Sequence, residues 1–424
     1  MAKKLLALAM GTGVALSMLW WLAPRLAPGD DPSLLTYEDV VAYDPGRVGG
    51  HLLPDMDVRV QGERVGRGVR WITNGQGFRN RAHVSEVPPP GALRILFYGD
   101  SFVDGMRTDQ DATIGSQLER GLARALDAPV EVVISGHNNP ANAWYHWQEH
   151  GHRFQPDLVV VGVTVGNDIT GHNLGAGVVP DVRTLEALVR LDPAHPAHAA
   201  GNGRVMIPED GFRPKAERSR WAMRRISFDA RLAKRFHLFA DRMRPAMGPY
   251  PGKPGRAHAA GVFVSLGLYY RGSIPYVESS WRDWEILVPG FVEQIRHHGS
   301  RVVLLSFPTR IEALDRDWQR LVDALQLEPS RFDRDAYWQR MRGLCEGSRV
   351  PCLNSAPALR AGQVIDEVFL PMGDMHLSEH DQAVGAEMLR DAVLAELERA
   401  PEPAPGPEWL AAYRERVEAW RARR

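Results

Sequence analysis

Leu93–Ser101 reads LRILFYGDS. Leu93–Tyr98 is a short apolar run, broken only by Arg94 and stopped by Gly99. Such a run is the signature of a buried strand rather than a helix. Outward from it the pattern alternates. Ala112–Leu126 carries Ile114, Leu118, Leu122 and Leu126 at every fourth position, which predicts a helix with one apolar face. Val130–Ile134 is β-branched apart from Glu131 and reads as a second buried strand. Ala141–Gly151 reads as a helix closed by its glycine, and Asp157–Val165 (DLVVVGVTV) as the clearest strand of the chain. Further on come a helix over Trp284–His298, interrupted at Pro289-Gly290, and a strand over Arg301–Phe307 (RVVLLSF). A helix over Arg334–Glu346 and a weak strand over Val350–Leu353 follow. The last helix of this series starts after Ser378, with Asp381 three residues on as a capping-box variant. Val384, Met388, Ala392 and Ala395 are its expected apolar face.

Five short buried strands separated by helices predict a three-layer α/β/α sandwich. Its centre is a five-stranded, mostly parallel, doubly wound sheet of flavodoxin-like type. Residues 169–282 break the rhythm and are too long for a connecting loop, so they read as an insertion. The expected organisation is an N-terminal segment 1–27, a lead-in 28–90, an α/β domain 91–400 carrying the insertion, and a charged helical tail 401–424. The lead-in is expected to hold a strand pair around Val58–Val60 and Val69–Thr73. No internal repeat is present.

Composition narrows the classes. The 424 residues are 44% hydrophobic and 24% charged, close to the globular average. Lys and Arg (51) balance Asp and Glu (52), which excludes the chain-wide basic footprint of a nucleic-acid binder. The average conceals a basic segment, Lys215–Arg244, with ten Lys/Arg against three Asp/Glu. It interleaves Trp221, Phe228 and Phe236 and reads as helices with a solvated basic face, or as a surface for an anionic membrane or acidic glycan. Two cysteines exclude a disulfide scaffold and any Cys-rich metal site. Cys345 and Cys352 are close enough in sequence to pair in an oxidising compartment, or to stand as two buried thiols.

Residues 5–24 (LLALAMGTGVALSMLWWLAP) carry no charge and lie between Lys3-Lys4 and Arg25. As a helix they span about 30 Å, the thickness of a hydrocarbon core. They read as a membrane anchor or a cleaved signal segment, with a buried helix as the third reading. The first two place the body outside the cytoplasm, in the periplasm or extracellular space.

In doubly wound sheets ligands bind beyond the carboxyl ends of the strands. After the first strand comes Gly99-Asp100-Ser101, after the second Ser135-Gly136-His137-Asn138-Asn139, after the third Gly166-Asn167-Asp168. Asp374-Met375-His376 precedes the last helix of the domain. A hydroxyl, a glycine amide, a carboxamide, a carboxylate and an imidazole on one edge suit acyl transfer through serine. Ser101 is the candidate nucleophile and His376 the base that takes its proton. Asp374 is the carboxylate that fixes the imidazole tautomer. Ser101 N–H, Gly136 N–H and the Asn167 side-chain amide are candidate oxyanion donors. Asp100 and Asp168 read as structural, bonding nearby backbone amides, while Asn138 and Asn139 are candidates for lining the site. His376/His380 and His195/His198 lack a third ligand at useful spacing, so no metal site is expected.

These four blocks, from Leu93 to Leu397 and excluding the insertion, resemble the SGNH (GDSL-type) hydrolases. Thr73-Asn74-Gly75-Gln76-Gly77-Phe78-Arg79 also resembles a lead-in of exported bacterial members. The resemblance implies an esterase with Ser101, Asp374 and His376 as triad, Gly136 and Asn167 as oxyanion donors, and no cofactor. It implies an acyl-ester small molecule or an acetylated glycan as substrate. Two readings stand beside hydrolysis: O-acetyl transfer to a polysaccharide by the same triad, and a non-catalytic binding protein on the same fold. The second block departs from the usual glycine-rich continuation. The two-residue spacing from Asp374 to His376 is shorter than the three found in many members.

Overall fold

The computed structural model describes residues 35, 40–42, 51–61, 68–169, 268–272, 275–315, 318–319, 329–361, 376–400 and 407–421. The segment 1–27, almost all of the insertion with its basic stretch Lys215–Arg244, and residue Asp374 lie outside these. Among the described residues no helix is long and apolar enough to cross a membrane.

Nine strands are described: β1 (Val41–Ala42), β2 (His51–Leu52), β3 (Asp57–Gln61), β4 (Gly68–Ile72), β5 (Leu93–Tyr98), β6 (Val130–Ser135), β7 (Leu158–Thr164), β8 (Arg301–Phe307) and β9 (Cys352–Asn354). The described helices are α1 (Ser101–Asp104), α2 (Ile114–Leu126), α3 (Pro140–Glu149), α4 (Val165–Asp168), α5 (Pro275–His297), α6 (Arg310–Ala313), α7 (Ala336–Gly347), α8 (Ala356–Ala361), α9 (Glu379–Glu398) and α10 (Pro407–Arg421).

The central sheet has the order β6-β5-β7-β8-β9, and every neighbouring pair is parallel. The expected five-stranded doubly wound sheet is therefore present. Strand order reverses around β5, which opens a crevice between the loops that follow β5 and β7. Side-chain alternation explains why helices cover both faces. On β5, Ile95 and Phe97 enter one apolar core, while Leu96 and Tyr98 enter the other. The first core is closed by α2 and α9 through Leu118, Leu122, Leu389 and Val393. The second is closed by α3, α5 and α7 through Trp144, Trp147, Trp284, Phe291 and Met341. The lead-in forms its own small core, in which β3 and β4 pair antiparallel and bury Val60, Val69 and Trp71. This is the strand pair expected there.

Several expectations are corrected. The Ser378–Asp381 capping box on α9 is present in both directions. The buried face, however, runs through Gln382, Gly385, Ala386, Leu389 and Val393, one position on from the expected set, and Ala395 is exposed. The reason is close approach: a Cβ at Gly385 would stand 2.6 Å from Ile114 Cδ1 of α2. On α2 itself Leu126 is exposed, because the packed stripe ends at Leu122. α5 is not interrupted at Pro289-Gly290, and it begins at Pro275, so residues 275–282 belong to this helix rather than to the insertion. The tail helix α10 supports the proline turn. Tyr413 Oη donates to the Ile286 carbonyl at 2.8 Å, and Gly290 leaves room for that ring. Cys345 of α7 and Cys352 of β9 are joined by a disulfide, which settles the choice left open above.

Candidate active site

Ser101 follows β5 after Gly99 and Asp100 and occupies the first position of α1. The cap of this helix is Asp100, whose carboxylate accepts from Phe102 N–H at 2.9 Å. Ser101 is therefore not a cap, and its N–H stands where a helix offers no internal acceptor. The turn is tight because Gly99 carries no Cβ; one would stand 2.2 Å from Val103 Cγ2.

His376 lies just before α9, 275 residues along the chain from Ser101. Its Nε2 is 2.7 Å from Ser101 Oγ. With the proton on Nδ1, the serine hydroxyl donates to Nε2, the arrangement needed for proton abstraction. The imidazole sits beside the ring of Phe102, with centroids 5.1 Å apart. Two contacts hold α9 against the turn that carries Ser101 and against the start of α2. Gln382 Nε2 donates to the Phe102 carbonyl at 3.2 Å, and Gln382 Oε1 accepts from Ile114 N–H at 2.8 Å.

Gly136 follows β6. A Cβ at this position would stand 1.7 Å from Asp104 Oδ1, at the end of α1. Only glycine lets the loop after β6 and α1 approach this closely. Asn138 is largely buried and lines a cleft beside Gly136. Its N–H donates to the Gly99 carbonyl at 2.7 Å and its Nδ2 to the Gly136 carbonyl at 2.9 Å. It thereby ties the loop after β6 to the loop after β5. Asn139 caps α3 by accepting from Asn142 N–H at 2.8 Å.

Asp168 ends α4, and its carboxylate accepts from Thr164 N–H at 2.7 Å. Thr164 Oγ1 donates to Asp100 Oδ1 at 3.0 Å. Asp100 and Asp168 thus play the structural roles expected, and Thr164 joins them. Burial, with the charge of Asp100 nearby, pushes the Asp168 carboxyl well above the ordinary carboxylate range. Asn167 lies in the backbone of α4 at the carboxyl end of β7. Its side chain, and all of Asp374, fall outside the described residues.

The structure adds residues that motif reading did not assign. Arg79 is fully buried, with its guanidinium 3.9 Å from the centroid of the Trp71 ring. It donates to the carbonyls of Gly105 and Thr108, each at 2.7 Å, and to Gln110 Oε1 at 3.2 Å. Its backbone N–H donates to the Ile134 carbonyl at 3.1 Å. One residue of the lead-in therefore holds both the segment after Ser101 and the strand that precedes Gly136. The only signal in the sequence was its place in Thr73–Arg79. Gln382, Asp104 and Thr164 had no recognisable local signal. Among the described residues no cluster of three His, Cys, Asp or Glu side chains is placed to hold a metal ion.

No family model matches the chain, and no curated protein matches its sequence. Among solved structures it is similar to an acetyl xylan esterase at 12% identity and a TM-score of 0.36, over 71% of this chain and 100% of that one. It is also similar to an acetylxylan esterase of Geobacillus stearothermophilus, solved as a catalytic mutant, at 13% identity and a TM-score of 0.34, over 76% and 100%. A lipase/acylhydrolase of Enterococcus faecalis matches at 12% identity and a TM-score of 0.34, over 73% and 99%. The α/β/α architecture stated above rests on the strand order and the two cores of this chain.

Proposed function

We propose that this protein is a serine esterase of the SGNH type that acts through an acyl-enzyme. The observation that carries the reading is the 2.7 Å approach of Ser101 Oγ to His376 Nε2 at the carboxyl edge of the sheet. In acylation Ser101 Oγ attacks the ester carbonyl as its proton passes to Nε2. The tetrahedral oxyanion collapses, the C–O bond to the alcohol breaks, and the imidazolium returns the proton to the leaving oxygen. Water then attacks the acyl-serine by the reverse sequence and releases the acid. In this reading Asp374, two residues before His376, accepts from the imidazole Nδ1–H. Ser101 N–H, Gly136 N–H and the Asn167 amide receive the oxyanion, each donor being worth about 10²–10³ in rate.

The substrate in this proposal is an O-acyl ester, with a short acyl group such as acetyl. The setting is the cell envelope, with the body outside the cytoplasm. Two features support that setting: the uncharged run 5–24 behind Lys3-Lys4, and the Cys345–Cys352 disulfide, a bond that persists in oxidising compartments. If a sugar hydroxyl takes the place of water in the second step, the same machinery is an acetyltransferase.

The test uses p-nitrophenyl acetate and a fluorophosphonate probe on the full chain. Labelling is expected in the wild type and lost in Ser101→Ala, and hydrolysis is expected to collapse in His376→Ala. A folded wild type that takes no label overturns the reading. Product analysis with and without an added sugar acceptor separates hydrolysis from transfer.

A further inference from the structure

One buried side chain, that of Thr164, reaches across the crevice between the loops after β5 and β7. The two strands are paired as far as Tyr98 and Val161. Beyond that pair they part. The chain after β5 turns through Gly99 and Asp100 into α1, while β7 runs on to Thr164, opposite Phe307 of β8, and then enters α4. Two of the proposed oxyanion donors therefore stand on separate turns. Ser101 N–H belongs to the first turn and Asn167 to the second. Among the described residues the ladder between β5 and β7 ends before either donor, so it does not set their separation.

Side chains do. Two glycines let α1 lie close over the strand ends. A Cβ at Gly99 would stand 2.2 Å from Val103 Cγ2, and one at Gly162 would stand 2.8 Å from the same methyl. Thr164 supplies a polar link across this contact. It is fully buried and occupies the cap position of α4, yet its hydroxyl does not cap that helix. Threonine at a cap ordinarily turns its oxygen to the N–H groups of the first turn. Here Oγ1 instead donates to Asp100 Oδ1 at 3.0 Å. The same Asp100 oxygen accepts from Phe102 N–H at 2.9 Å, the bond that starts α1 at Ser101. The Thr164 backbone N–H donates to Asp168 Oδ2 at 2.7 Å, which ties the end of α4 back to its beginning. Thr164 is thus bonded through its side chain to the residue before Ser101, and through its backbone to the residue after Asn167.

An oxyanion hole acts only when its donors converge on one point. Removing a donor costs about 10²–10³ in rate, and displacing one costs part of that. We infer that Thr164 is a positioning residue, whose hydroxyl sets the separation of the Ser101 and Asn167 donors and so governs turnover without touching substrate. The inference rests on the serine-esterase reading and adds to it a residue outside the triad and the oxyanion donors.

The experiment compares the wild type with Thr164→Val, Thr164→Ser and Thr164→Ala, all as the full chain and well below their melting temperatures. Valine keeps the shape of threonine and removes the hydroxyl; serine keeps the hydroxyl and removes the methyl. On p-nitrophenyl acetate, Thr164→Val is expected to lower kcat by about tenfold or more, with KM within about threefold. Its fluorophosphonate labelling should slow in parallel. Thr164→Ser should return kcat to within about threefold of the wild type. If the valine variant does not fold, Thr164→Ser against Thr164→Ala is the same comparison, because the two differ by the hydroxyl alone. A folded Thr164→Val with kcat within about twofold of the wild type overturns the assignment. So does a serine variant no faster than the alanine one, or a loss that falls on KM and leaves kcat intact. In each of these outcomes the wild type still takes the label and Ser101→Ala still loses it, so the esterase reading stands. A folded wild type that takes no label overturns that reading and this assignment with it.

Discussion

Gln382 of α9 donates to the carbonyl of Phe102, the residue next to the candidate nucleophile, at 3.2 Å. The same amide accepts from Ile114 N–H, so one buried side chain joins the helix that follows His376 to the turn that carries Ser101. Gln382→Leu keeps the volume but leaves a buried carbonyl and a buried N–H without this partner, at about 1–3 kcal/mol for such groups. We expect a lower urea midpoint and a reduced kcat on p-nitrophenyl acetate, with KM much less changed. An unaltered rate of fluorophosphonate labelling would show that Gln382 does not set the Ser101–His376 approach.

Arg79 makes a second clamp on the same turn. Its planar fork serves Gly105 and Thr108 together, which the single ammonium of lysine cannot reproduce. Arg79→Lys is expected to lose about 1–3 kcal/mol of stability, and Arg79→Ala more, as both carbonyls are then stranded. Chemical denaturation reads the ranking. Equal stability of Arg79→Lys and the wild type would show the fork to be dispensable.

Gly136 and Asp104 compete for one space. Gly136→Ala is expected to destabilise by about 1–3 kcal/mol through overpacking, and to slow acylation by moving the end of α1. In a double-mutant cycle, Gly136→Ala with Asp104→Ala should recover about 1 kcal/mol relative to the sum of the single changes. Strict additivity would mean that the two sites do not touch.

Asp168 makes stability depend on pH. Burial and the neighbouring Asp100 raise its carboxyl above the ordinary value of 3.8 in the folded state. The folded protein therefore holds this proton to higher pH than the unfolded chain does. Its contribution is full below 3.8 and is lost as pH rises through the raised folded value. Asp168→Asn mimics the protonated acid and keeps an acceptor for Thr164 N–H. Melting temperatures measured from acid to weakly alkaline pH should show the wild type losing ground to this variant as pH rises. Parallel curves would place the proton elsewhere.

Much of the candidate site was legible because the residues proposed for its chemistry sit in short local motifs at strand ends. Ser101 and Gly136 are each marked by the few residues around them, and the apolar runs before them say which end of a strand they occupy. The residues that hold these groups in place were not legible. Nothing near Asn138 in the sequence announces its bond to Gly99, which follows a different strand. Gln382 sits 280 residues from Phe102, and nothing near either residue announces the other. The face of α9 was misplaced for a related reason. Apolar spacing favoured Val384 and Met388, whereas contact with Ile114 required the small residues Gly385 and Ala386.

The sequence by itself determined the alternation of buried strands and helices, and hence the parallel sheet with a chemically loaded carboxyl edge. It did so because periodicity and turn residues act over a few positions, within the range of backbone sterics and local burial. Tertiary structure alone decided that Ser101 and His376 meet at 2.7 Å and that Cys345 is joined to Cys352. It also decided that Arg79 and Gln382 brace the turn that carries Ser101. Those relationships depend on how two faces of a sheet are filled, and close packing resolves that only when the whole chain is assembled.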